Sequence, residues 1–161
     1  MTTGQDQPLL NTGADPRVVL IAVDASAGAE KVIAAGARLL RSLPAATIHV
    51  VHVFKTSRFD RSRAGTSAPA TDAIEDAKEY LAFHVKSTRR QCRNEVMGHF
   101  LIGDPATEIL RLAAEVKTDL LIVGTHDYAG FERFLLGSIA ETLMRKAGCS
   151  VLVVRPPPHR D

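Results

Sequence analysis

The residues best suited to chemistry lie in the run VGTHDYAGFERFLLGSIAETL, positions 123 to 143. Gly124 stands where an apolar run ends, and Gly137-Ser138 stand where a helical pattern begins. Glycine lets backbone come close to an anion, while a helix N-terminus and the Ser138 hydroxyl offer donors and a favourable dipole. That combination suits a phosphate. A tight turn at Gly124 and an ordinary helix start at Gly137-Ser138 give the same local pattern, and spacing alone does not separate the two. His126 is compatible either with a donor to phosphate or with a plain loop histidine. Two carboxylates flank apolar runs. Asp24 follows its run, whereas Asp119 precedes its run and reads as a turn residue.

Other chemistries lack their residues. After Asp24 the chain reads ASAGAEK rather than G-x-G-x-x-G, and G-x-x-x-x-G-K-[ST] does not occur, so neither a dinucleotide fingerprint nor a P-loop is supported. Ser138 lies in L-G-S-I-A, not G-x-S-x-G, and H-E-x-x-H is absent. His49 and His52 resemble a ligand pair, but a separation of three on a strand turns them to opposite faces. No metal site is expected. Cys92 and Cys149 fit no C-x-x-C spacing and read as small buried hydrophobes in a reducing setting.

These groups need a scaffold to bring them together. The run VVLIAVD, ending at Asp24, is rich in β-branched residues and too short for a free-standing helix, so it reads as a strand buried on both faces. Ser26 is placed to cap a helix carrying Ile33, Ala37 and Leu40, which Pro44 ends. A second strand spans Thr47 to Phe54. After a polar stretch, Thr71 or Asp72 opens a helix striped by Ile74, Ala77, Leu81, Val85 and Thr88, with acids early and arginines late. VMGHFLI makes a third strand. Asp104 and Pro105 cap and open a helix bearing Ile109, Leu112 and Val116. DLLIVGT is the fourth strand, a helix from about Gly137 to Ala147 uses Ile139, Leu143 and Met144, and SVLVVR is the fifth strand before PPP.

Five apolar strands alternating with four helix-sized connections predict a doubly wound α/β fold: a five-stranded parallel sheet with helices on both faces, strand order 3-2-1-4-5. Ligands in such folds bind beyond the carboxyl ends of strands where the order reverses. Those ends are Asp24 to Ser26, Val53 to Lys55 and Gly124 to Asp127. Length agrees: 161 residues make about one domain of roughly 150. We place it at 17–155, between tails 1–16 and 156–161. Twenty Lys plus Arg against 18 Asp plus Glu leave a formal charge of +2, which indicates no nucleic-acid partner. No apolar run approaches the roughly 20 residues that span a bilayer, and the first residues lack the basic start of a signal peptide. No membrane partner and a cytoplasmic location are expected.

With these residues in view, the chain resembles the universal stress proteins over nearly all of Arg17 to Arg155. The resemblance is carried by AVDAS, HVF, GDPATEIL, the strand at 119–125 with its following loop, and CSVLVVRP. In that family's ATP-binding branch the loop reads G-x-x-G, nine residues, then G-S or G-T. Gly124, the nine residues Tyr128 to Leu136, and Gly137-Ser138 match; Asp127 replaces the second glycine. The resemblance implies that Asp24 reaches a ribose, that Ala22 and Val23 border the nucleoside, and that Val53 meets adenine through its backbone. It also implies that Val123 and Gly124 line the floor and that Gly137, Ser138 and Ile139 hold phosphates. Tyr128-Ala129 stand where many nucleotide binders carry a basic residue, a role Arg133 could take over.

The implied function is a stress-response protein that binds ATP or AMP as a sensor or regulator, not an efficient catalyst. The alternative is a nucleotide-free dimeric scaffold. Asp127 would repel phosphate charge, which favours AMP, or ATP carried with Mg²⁺. The resemblance further implies a homodimer through strand 150–155, whose apolar edge needs a cover. Arg58, Arg61 and Arg63, in the long segment after the second strand, fit either a solvated connector or a lid over phosphates.

Overall fold

The computed structural model describes residues 15–26, 28–55, 68–125 and 137–155. Strand β1, Val18–Val23, holds Val19, Leu20 and Ile21 with no exposed surface at all. A strand buried on both faces cannot alternate with polar residues, which is why this run is continuously apolar. Around it the chain forms α1 (Ala29–Leu40), β2 (Thr47–Phe54), α2 (Ala68–Gln91), β3 (Val96–Ile102), α3 (Pro105–Glu115), β4 (Leu120–Gly124), α4 (Ser138–Lys146) and β5 (Ser150–Val154). All neighbouring strands are parallel and their order is β3-β2-β1-β4-β5, as the alternation of elements predicts.

Two cores lie on opposite faces of the sheet. Val19, Ile21, Ile48 and Val50 pack beneath α1 and α2, with Val32, Ile33, Leu81 and Val85. Leu20, Val51, Leu121 and Val123 pack beneath α3 and α4, with Ile109, Leu112, Ala140 and Leu143. The chain first winds outward from β1 to β2 and β3, then crosses to β4 and β5. Right-handed crossovers send the two pairs of helices to opposite faces.

Asp119 is more than a turn residue. Its Oδ2 accepts the backbone N–H groups of Arg17 and Val18 at 2.9 Å each, and its own N–H donates to the Val18 carbonyl at 2.9 Å. It ties the start of β4 to the start of β1. His49 and His52 do face opposite ways: His49 Nδ1 lies 2.8 Å from His99 Nε2, while the His52 ring meets Tyr80 of α2.

Several local expectations need correction. Helix α1 is capped by Gly28, not Ser26; Ser26 sits two residues earlier, where its Oγ accepts the Gly28 N–H at 3.2 Å. Helix α2 begins at Ala68 rather than at Thr71 or Asp72. Strand β5 stops at Val154. In α4 the buried residues are Ala140 and Leu143, whereas Ile139 and Met144 are exposed. Asp104 and Pro105 take their expected places: Asp104 Oδ2 accepts the Thr107 N–H at 3.0 Å.

Candidate functional site

The β1–β2 ladder runs from Val18↔Thr47 to Val23↔His52. The β1–β4 ladder covers only Val19↔Leu120 to Ile21↔Ile122, although β4 continues to Gly124 beside β5. Ladder pairing between β1 and β4 therefore ends before their carboxyl ends, at the point where the strand order reverses. A cleft of about 480 Å³ opens there, within the range of small-molecule sites.

Nine of the ten expected site residues line this cleft: Ala22, Val23, Asp24, Val53, Val123, Gly124, Gly137, Ser138 and Ile139. They come from β1, β2, β4 and the start of α4. Asp127 lies outside the described residues, as do His126, Arg133 and the arginines at 58, 61 and 63. The exposure of Ile139 has its reason here, since it faces the cleft and not the core.

Gly124 has a different physical role from a tight turn. It is still in β4, paired with Val154, and a Cβ on it would stand 2.8 Å from Val32 Cγ2 of α1. A side chain at 124 would push against the helix that walls the cleft. Gly137 is the N-cap of α4 and has no side-chain cap bond among the described residues, and with Ser138 it brings the N-terminal end of the helix to the cleft wall.

The lining also contains residues that local patterns missed. Lys31 adds a cation beside Lys55, which belongs to the expected strand end Val53 to Lys55, and Pro105 and Ile109 of α3 add apolar wall. Lys31 lies inside a helix that reads as structural; only the topology brings it to β1's end. His52 is a wall residue as well, with Nδ1 3.0 Å from the Val23 carbonyl. The Asp24 carboxylate accepts the Ser26 hydroxyl at 2.5 Å and its N–H at 3.2 Å.

Away from the cleft, three histidines are held neutral. Burial lowers the pKa of His49, helped by His99, and burial lowers those of His84 and His99. His84 is 2% exposed and its Nδ1 has no hydrogen-bond partner among the described residues. In the unfolded chain these groups take up protons near their ordinary pKa of about 6.5. In the fold they take them up only at lower pH. Between those limits the unfolded state binds more protons, so stability falls with falling pH. We expect the urea midpoint to drop steadily from pH 7.5 to 5, and His84→Leu to flatten that drop. A pH-independent midpoint would contradict this.

The free cysteines are half-buried. Burial raises the Cys149 thiol's pKa, which leaves it unreactive at neutral pH. No described helix is long and apolar enough to cross a membrane.

The family model for universal stress proteins matches residues 16–155. The chain belongs to the universal stress protein family. A universal stress protein of Methanocaldococcus jannaschii is 32% identical over 113 residues, which cover 70% of this chain and 66% of the relative. Putative universal stress proteins of Staphylococcus aureus are 44% identical over 54 residues, covering 33% of this chain and 32% of theirs. The matched part thus spans at most about two thirds of these relatives. Among solved structures, the universal stress protein from Archaeoglobus fulgidus in complex with dAMP is 26% identical, with a TM-score of 0.62 over 85% of this chain and 96% of that one. An Arabidopsis thaliana family protein with AMP bound shares the fold at 18% identity, with a TM-score of 0.63 over 89% of this chain and 94% of that one.

Proposed function

We propose that this universal stress protein binds an adenine nucleotide in the cleft at the carboxyl ends of β1, β2 and β4, and acts as a cytoplasmic sensor or regulator in stress responses. One observation carries the reading. Gly124 and Gly137-Ser138, which match the family's nucleotide pattern in identity and spacing, line a single cleft of about 480 Å³ together with residues at the ends of β1 and β2. The dAMP complex of the Archaeoglobus relative supports the ligand class. In this reading Asp24 takes the ribose hydroxyls, the Val53 backbone meets the base, and Gly137, Ser138 and Ile139 receive the phosphates. Lys31 and Lys55 add positive charge nearby.

AMP, or ATP with Mg²⁺, is the preferred ligand, because Asp127 adds a carboxylate where the family pattern has glycine. Mg²⁺ would arrive with the phosphate oxygens; among the described residues no group of three His, Cys, Asp or Glu side chains could hold a metal by itself. We assign no catalytic residue and read the site as one for binding, not turnover. Mass spectrometry of small molecules released from the denatured purified protein, with calorimetric titration of AMP, tests the reading. An empty release and a flat titration would replace it with the nucleotide-free scaffold.

The second part of the proposal is a homodimer through β5. This strand is a sheet edge, and its Leu152 is 38% exposed. An apolar edge with free backbone groups invites strand pairing with a symmetry mate. Val153→Lys is expected to weaken association by about tenfold or more, roughly the cost of placing a charge in such a contact. Sedimentation at micromolar concentration reads this, and a monomeric wild type at that concentration would refute the pairing.

A further inference from the structure

Asp24 lies one residue beyond β1, past the last ladder pairs with β4. Backbone at such a position is free to move unless something besides the strand ladders fixes it. Two side chains do so. His52 Nδ1 is 3.0 Å from the Val23 carbonyl, and since a carbonyl only accepts, this nitrogen carries the proton and donates. The Tyr80 hydroxyl, reaching from α2, donates to the carbonyl of Asp24 itself.

Tyr80 is held for this task. Its ring stands edge-on to His52 at 5.3 Å and to His84 at 4.4 Å between centroids. Those contacts leave its hydroxyl little choice of direction. Burial, with the negative charges of Asp24 and Glu30, pushes its pKa up to about 12, so the hydroxyl stays a donor at every physiological pH. Local bonds continue the constraint, because the Asp24 carboxylate receives both the N–H and the hydroxyl of Ser26.

We infer that Tyr80 is a positioning residue for ribose recognition: by holding the Asp24 carbonyl from α2, with His52 holding Val23, it sets the direction of the Asp24 carboxylate in the cleft. Tyr80 does not line the cleft, so it acts through Asp24 and not on the ligand. The inference rests on the adenine-nucleotide reading of the site. It adds that α2, which contributes no described residue to the cleft lining, governs how tightly a ribose is held.

The test uses the full chain and two ligands, AMP and 2′,3′-dideoxyadenosine monophosphate, which lacks the hydroxyls that Asp24 would meet. Tyr80→Phe keeps the ring and removes only the donor. It should weaken AMP binding by about five- to tenfold, the effect of a single well-formed hydrogen bond, and leave the dideoxy ligand unchanged within about twofold. In an Asp24→Ala background the same substitution should change AMP binding no further, because coupled groups do not add. Equal losses for both ligands, full additivity, or unchanged AMP binding would each overturn the inference.

A measurement without ligand keeps the inference separate from the nucleotide reading. In Tyr80→Phe the Ser26 amide should exchange its hydrogen about tenfold faster than in the wild type, as the constraint on its acceptor is relaxed. If wild-type protein binds neither ligand while that amide speeds up, the clamp stands and the nucleotide reading falls. If the amide is unchanged, the clamp itself is refuted.

Discussion

Asp24→Ala is expected to lower AMP affinity by about thirtyfold or more while leaving the fold intact. The residue is exposed in the free protein and lies one residue beyond β1, outside the strand ladders, so the sheet does not depend on its side chain. Toward a ribose it would accept from two hydroxyls. Hydrogen bonds to a charged group contribute about 1.5–3 kcal/mol each, and every 1.4 kcal/mol is tenfold in affinity. Asp24→Asn should lose less, since the amide oxygen still accepts but carries no charge. Calorimetric titration of AMP reads the change, with thermal unfolding as the control for folding. Undiminished AMP binding by Asp24→Ala would remove the ribose from this end of the cleft and with it the present orientation of the nucleotide.

Ile122→Ala should destabilise the protein by about 3–4 kcal/mol, a large part of the roughly 5–15 kcal/mol by which domains are stable. Ile122 has no exposed surface and sits in β4 opposite Ile21 on one side and Leu152 on the other. The neighbouring helix cannot close the resulting space. A Cβ on Gly36 of α1 would already lie 3.0 Å from Ile21 Cδ1 and 3.5 Å from Ile122 Cδ1, so helix and strand are at close approach before the substitution. The lost contacts become a cavity rather than a collapse. Leu152→Ala, at the exposed sheet edge, provides the contrast and should cost less than about 1 kcal/mol in the monomer. Urea unfolding of both variants measures the difference, and equal losses would mean that the β5 edge is as buried in solution as the centre of the sheet.

Much of the scaffold is legible in local patterns because burial imposes them. Val19 to Ile21 and Leu121 to Val123 are continuous apolar runs since helices cover both faces of a central parallel strand. Asp104 and Pro105 mark the start of α3 because a cap and a fixed φ act within one turn. Asp24, Val53, Gly124 and Gly137-Ser138 are legible because each lies at a strand end or a helix start, where the fold class places ligands; Ala22, Val23, Val123 and Ile139 are named by the resemblance to the family.

Interactions across the sheet are a different matter. The Asp119 carboxylate serves amides 101 and 102 positions away, the Tyr80 hydroxyl serves a carbonyl 56 positions away, and His49 meets a histidine 50 positions away. No local periodicity encodes such partners, since each depends on strand register and on the crossover that brings distant segments together. The same holds for Gly124, whose missing side chain makes room for Val32 of a helix 92 positions earlier, and for Ile139, whose apolar character serves a cleft wall instead of a core. Short-range chemistry thus determines which segments become strands, helices and caps. The packing of those segments decides which polar groups meet, and so how the end of β1 is held open and aimed.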